Sequence, residues 1–162
     1  MMNPVLNRLL HALVSLSCDF RVRFHDTALT TEQAAGFVAG DPTGNTKCLA
    51  LRDKDGARVV ATVCGTSRLD LEAVRAAHHL RRPRMASAAE LNSAFGVEKG
   101  GVAPVGYPEG VVALVDKAVL EQERVLISPG INHATLEISG KEFARLTEHF
   151  GATVTTISRI EG

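Results

Sequence analysis

The sequence predicts a single α/β domain over residues 1–162, with a mixed, mostly antiparallel β-sheet surrounded by helices. Three observations carry that prediction. Short segments of alternating or continuous apolar character are interleaved with segments whose apolar residues recur at helical spacing. The clearest strand pair, TKCLALR at 46–52 and ARVVATVC at 57–64, flanks Asp53-Lys54-Asp55-Gly56, a turn composition that joins antiparallel neighbours directly. No linker, internal repeat or low-complexity stretch divides the chain, and 162 residues suffice for one full core.

Each element follows from local chemistry. Asn3 and Pro4 open a helix whose apolar face is Val5, Leu6, Leu9, Leu10, Leu13 and Val14. FRVRF at 20–24 alternates apolar and basic residues as a short strand. Thr30-Thr31-Glu32-Gln33 is a capping box for a helix carrying Ala34, Ala35, Phe37 and Val38, and GDPTGN at 40–45 is a loop. After the hairpin, Asp70 caps a helix running to about Leu80, and HLRRPRMAS connects it to a short strand. Ser87-Ala88-Ala89-Glu90 is a second capping box whose helix stops at Gly96. The loop EKGGVAPVG, 98–106, follows. GVVALVDK at 110–117, RVLIS at 124–128 and HATLEIS at 133–139 are strands, the first two buried. Ser139 through Glu142 caps a last helix with Phe143, Leu146 and Phe150, Gly151 ends it, and ATVTTIS at 152–158 is a final strand. Pairing between sequence neighbours makes the sheet mixed rather than doubly wound.

Composition narrows the function. Eighteen basic residues balance eighteen acidic ones, so only a local patch, not bulk charge, could hold nucleic acid. Arg75, Arg81, Arg82 and Arg84 form such a local basic stretch, which is also what a solvated helix face and connector would contain. Three cysteines, Cys18, Cys48 and Cys64, without CxxC spacing argue against a disulfide framework or structural zinc. Arg8 and His11 interrupt the N-terminal apolar residues, so an amphipathic helix is expected there rather than a signal peptide, and no apolar run reaches membrane-spanning length; a cytoplasmic protein is expected. GxSxG, GxxxxGK[ST] and HExxH are all absent. His78 and His79 are adjacent on a helix and point about 100° apart, so they share no ligand face.

A few residues remain that could carry chemistry. Lys47 opens a strand directly after a polar loop, Asn132 and His133 follow Pro129-Gly130 between strands, and Gly100-Gly101 with Pro104 could bare backbone to a small molecule. Taken singly, each also fits an ordinary surface or turn residue. Together they resemble the YbaK/prolyl-tRNA-editing family, whose domain also occurs inserted in bacterial prolyl-tRNA synthetases. The resemblance lies in the order and spacing of TTEQAA (30–35), TKCLAL (46–51), RLDLEAV (68–74), ASAAELNSAFGVEKGGVAPVG (86–106), VVALVDKAVL (111–120) and SPGINHATLEIS (128–139).

The resemblance implies a barrel-like mixed sheet and hydrolysis of the ester between a wrong amino acid and tRNA, most often tRNA for proline. The family's near-invariant lysine matches Lys47, its GXXXP loop matches Gly100 through Pro104, and its small-residue turn matches Ser128-Pro129-Gly130. It implies Lys47, Gly100 and Gly101 as catalytic residues, with His25, Thr30, Thr46, Val102, Pro104, Ser128, Gly130, His133 and Thr135 around the substrate. No cofactor and no metal are implied. The partners are the 3′-terminal aminoacyl-adenosine of a mischarged tRNA and prolyl-tRNA synthetase, with no membrane. The length leads to the expectation of an enzyme acting in trans. INHAT at 131–135 departs from the KRGLD-like turn of the cysteine-specific branch and from the NxHPL-like turn of an alanine-specific branch, so the amino acid removed stays open among cysteine, alanine, serine and other small residues. A non-catalytic adaptor for tRNA or synthetase, a nucleic-acid-binding protein and a hydrolase of another acyl ester also stay open.

Overall fold

Asn3 starts the first helix with its own side chain. Its Oδ1 accepts the Val5 N–H at 2.9 Å and the Leu6 N–H at 3.2 Å, satisfying donors that a helix start leaves unpaired. The structure, a computed structural model, describes residues 3–29, 33 and 44–160. The helix predicted from the Thr30–Gln33 capping box therefore lies outside the described residues, save Gln33, as does most of the 40–45 loop. Helix α1 (Pro4–Ser15) buries Val5, Leu6, Leu9, Ala12 and Leu13, and leaves Val14 exposed.

The predicted hairpin forms as β2 (Thr46–Arg52) and β3 (Arg58–Cys64), in register from Thr46 opposite Cys64 to Arg52 opposite Arg58. Asp53 holds the turn: one carboxylate oxygen accepts the N–H groups of Asp55 and Ala57, and the other accepts that of Arg81. Strands β5 (Arg84–Met85), β6 (Val111–Asp116) and β9 (Thr153–Thr155) complete a sheet of order β5-β2-β3-β6-β9. A second sheet has the order β1-β8-β7, with β1 at Phe20–Phe24, β7 at Val125–Ile127 and β8 at Ala134–Ile138. A two-stranded ribbon pairs β4 (Ser67–Leu69) with β10 (Ser158–Ile160). Among the described strand pairs β3–β6 and β6–β9 are parallel, as is the isolated Asn45–Leu126 bridge, and the rest are antiparallel, so the sheet system is mixed and mostly antiparallel.

Three features depart from the sequence expectations. The sheets do not close into a barrel: β7 approaches the start of β2 through the bridge between Asn45 and Leu126, and the two sheets stay separate there. Pairing is not local throughout, because β1 pairs with β8 more than a hundred residues on, from Phe20 opposite Ile138 to Phe24 opposite Ala134. The final strand is broken in two. Asp116 accepts the N–H groups of Ile157 at 2.8 Å and Ser158 at 3.0 Å, and this turns the chain out of the large sheet into the ribbon.

The remaining helices follow their caps. Asp70 caps α2 (Leu71–His78), which ends before Leu80 because His79 takes a left-handed conformation. Ser87 and Glu90 form the predicted capping box of α3 (Ala88–Glu90), which widens into a π turn at Leu91–Phe95 and ends at Gly96. Asp116 caps α4 (Lys117–Leu120), and Ser139 caps α5 (Gly140–His149). The alternation of β3 divides the core. Val59, Ala61 and Val63 enter a cluster with Leu51, Val74, Leu80, Leu114 and Ile157, while Val60 faces the larger cluster that includes Leu9, Leu13, Phe95, Val115, Leu136 and Phe143. Burial of each such leucine or phenylalanine contributes about 1.5–3 kcal/mol.

Candidate functional site

The glycine loop is fixed by close backbone contact. A Cβ on Gly101 would lie 2.6 Å from the Ile131 carbonyl carbon and 2.8 Å from the Ile131 Cα, and one on Gly100 would collide with the Ala28 carbonyl oxygen. Gly100 also has φ +83°, in the left-handed region. Only glycines let the loop pack so tightly against the 28–29 and 131 backbones. The Gly101 N–H donates to Glu98 O at 2.8 Å and so closes the turn. The Ser128 hydroxyl donates to Gly100 O at 3.3 Å, and Asn132 Nδ2 donates to Lys99 O at 3.0 Å. Ala103 and Pro104 are buried, and the Tyr107 hydroxyl donates to Ala103 O at 2.6 Å. Gly100 and Val102 are half-buried, where the loop's backbone meets its surroundings.

The turn after β7 and the end of β1 form the facing wall. Glu98 N–H donates to Gly130 O at 3.2 Å, and Gly130 itself, at φ +97°, lies against the Asn3 side chain and Val5. The His25 N–H donates to His133 O, and the Ala28 N–H to Asn132 O. His25 Nδ1 is 2.7 Å from Asp26 O, and Nε2 is 2.9 Å from Thr135 Oγ1. A carbonyl only accepts, so Nδ1 carries a proton, and in the neutral ring Nε2 accepts from the buried Thr135 hydroxyl. The exposed His133 ring lies 6.5 Å from the exposed ring of Phe24. Hydrogen bonds and close contacts thus join His25, Gly100, Gly101, Ser128, Gly130, His133 and Thr135.

Lys47 is held elsewhere. Its Nζ donates to Ser67 O at 3.1 Å. Its cross-strand partner, Val63, belongs to the smaller core, whereas the next residue, Cys48, turns to Thr62 with Sγ 3.3 Å from Oγ1. The pleat therefore sends Lys47 to one face of β2, while Cys48 packs against the larger core that also takes the loop's Val102, Ala103 and Val105. Thr46 Oγ1 donates to Leu126 O at 2.7 Å, which ties the start of β2 to the strand that leads into Ser128. Thr30 lies outside the described residues. Sequence reasoning missed Ala28 and Ser67, which act through backbone groups and leave no side-chain signal, and Glu98, whose backbone bonds Gly130 and Gly101 and whose carboxylate accepts the Asn132 N–H at 3.4 Å.

Burial pushes the Cys48 thiol up to about 11, with its bond to Thr62 opposing, and burial raises Cys64 as well. Both act as core residues rather than nucleophiles. Among the described residues no group of three His, Cys, Asp or Glu could hold a metal ion, and no helix is long and apolar enough to cross a membrane.

The chain matches the model of the aminoacyl-tRNA editing domain over residues 25–146, and it belongs to that family. The matched span runs from His25 past Thr135 and includes the glycine loop and Lys47. Its fold is similar to that of the hypothetical protein APE2540, with TM-score 0.79 and 25% identity, covering 94% of this chain and 99% of that one. It is also similar to a structure provisionally assigned as a trans-editing enzyme for prolyl tRNA synthetase, with TM-score 0.76 and 24% identity, covering 98% and 99%. No curated protein matches the chain. Editing of aminoacyl-tRNA is therefore the activity class to which the fold and family belong.

Proposed function

We propose that the protein hydrolyses the ester of a mischarged tRNA, acting in trans, with tRNA for proline carrying a small wrong amino acid as its first substrate. The observation that carries this is the family match spanning every described candidate residue from His25 to Thr135. The joined walls of the site support it. The reaction needs water to attack the ester carbonyl carbon, charge to develop on the carbonyl oxygen, and the ribose oxygen to leave with a proton. An aminoacyl ester is already activated, and the neighbouring ribose hydroxyl can assist, so positioning and charge stabilisation suffice without a covalent enzyme intermediate. The Lys47 ammonium, held at Ser67 O apart from these walls, supplies a point charge for the phosphate next to the ester, or for the ester itself once it leaves Ser67. Gly100 and Gly101 shape the loop so that backbone at Gly100 and Val102 meets the substrate. His25, Thr135, Ser128 and His133 give it a polar edge, while Thr46, Pro104 and Gly130 hold the surrounding backbone. Thr30 completes the substrate contacts, and prolyl-tRNA synthetase is the partner whose errors are corrected. A hydrolytic second sieve is useful because methylene-scale differences are worth only about 1–3 kcal/mol in a synthetase pocket.

The test is single-turnover deacylation of tRNA for proline charged in turn with alanine, cysteine, serine and proline. Lys47-dependent loss of one non-proline ester is the expected result, and it names the substrate. Stability of all four esters would remove the proposal.

A further inference from the structure

We propose that the β4–β10 ribbon docks the phosphate backbone of the tRNA acceptor stem through Arg68 and Arg159, beside Lys47; this rests on the tRNA substrate proposed above. The starting observation is a like-charge pair. Arg68 and Arg159 stand directly opposite one another in the antiparallel register, and both are exposed. Directly opposed like charges destabilise a β pair. The ion pairs of the described residues use other cations, namely Arg52, Arg75, Arg81, Arg84, Arg124 and Arg145. The opposed guanidinium groups are thus a standing cost that an external anion relieves.

Lys47 brings a third cation to the same end of the ribbon. Its ammonium is bound at Ser67 O, one residue from Arg68 and across from Ile160. Three cations drawn from three strands suit a polyanion with successive phosphates better than one small anion. A chain with no formal net charge needs a local surface of this kind to hold RNA. The basic stretch visible in the sequence is a weaker candidate. Arg75 is paired with Glu72, Arg81 with Asp55 and Arg84 with Glu90, so most of its charge is already neutralised. The ribbon assembles its charge from segments some ninety residues apart.

The experiment is fluorescence anisotropy with the full chain and a labelled, uncharged acceptor-stem hairpin ending in CCA, across a salt series. The variants are R68A/R159A and R68K/R159K, with melting temperatures measured alongside. R68A/R159A is expected to weaken binding about tenfold and to lower the slope of log K against log salt by about 2. R68K/R159K is expected to retain most of both, because it keeps the charge. Wild-type affinity and slope in R68A/R159A would overturn the proposal, as would failure of the wild-type chain to bind the hairpin. Equal loss in both variants with a lowered melting temperature would also overturn it, since the arginines would then be structural. The hairpin carries no ester, so its binding is read independently of catalysis: binding here with all four esters stable in the single-turnover assay would sink the hydrolase proposal alone.

Discussion

Asp116 stands where the large sheet, α4 and the ribbon meet. Its carboxylate accepts from Ala118 N–H at 3.2 Å, Ile157 N–H at 2.8 Å, Ser158 N–H at 3.0 Å and the Ser158 hydroxyl at 2.9 Å. It is 2% exposed, so truncation strands these donors away from water. Asp116→Ala should cost about 2–4 kcal/mol in urea unfolding, and Asp116→Asn about half as much. Lys47→Ala behaves differently. It removes one hydrogen bond on a half-buried side chain, so it should abolish deacylation while leaving the fold and melting temperature close to wild type. Normal turnover in that variant would take Lys47 out of the mechanism. The thiols offer another residue-scale check. Cys18 and Cys48 are both raised to about 11, chiefly by burial, so both should resist a thiol reagent at neutral pH until the chain unfolds.

At the scale of elements, the glycine loop is set by the backbones it packs against. Side chains at Gly100 or Gly101 would not simply project into a substrate space; they would strike the Ala28 and Ile131 backbones. Gly101→Val should therefore lose about 1–3 kcal/mol of stability by overpacking, and Gly100→Val more, because its backbone is also left-handed. Both should lose activity, and the loss should track displacement of the loop from the 128–133 turn. Unchanged stability in both variants would show that the loop can move away without cost. Much of this level was legible in advance. The Asp53–Gly56 hairpin, the caps at Asn3, Asp70, Ser87 and Ser139, and the halt at Gly96 are each set by residues within a few positions of the event. The end of α2 was not legible, since a left-handed histidine at His79 leaves no glycine to announce it.

For the whole molecule, acid sensitivity follows from carboxylates held in their charged form. The Arg84 guanidinium, followed by the Ser87 N–H, holds Glu90 at about 2, below its ordinary 4.5. Backbone N–H groups of Arg81 and Ala57 lower Asp53, and the Cys18 thiol with Arg145 lowers Glu142. A depressed folded-state pKa contributes stability above the unfolded value, and that stability is lost as pH falls through the folded value. Stability should therefore be full at neutral pH and decline from about pH 4.5 toward 2. Glu90→Gln should flatten that decline in a pH series of thermal melts, and an unchanged acid limb would assign the loss to other groups.

The sequence by itself determined the α/β class, the helix starts and the central hairpin. These depend on alternation, capping and turn chemistry, which act over a few residues. Tertiary structure decided that β1 lies against β8, that the last strand splits between two sheets, and that Lys47 is anchored at Ser67 while the glycine loop closes on Ile131. It also set Arg159 against Arg68. Such pairings depend on which buried faces meet and in what register, and a one-residue slip would turn every side chain of a strand to its other face. Local pattern carries no record of that choice; the packing of the two cores makes it.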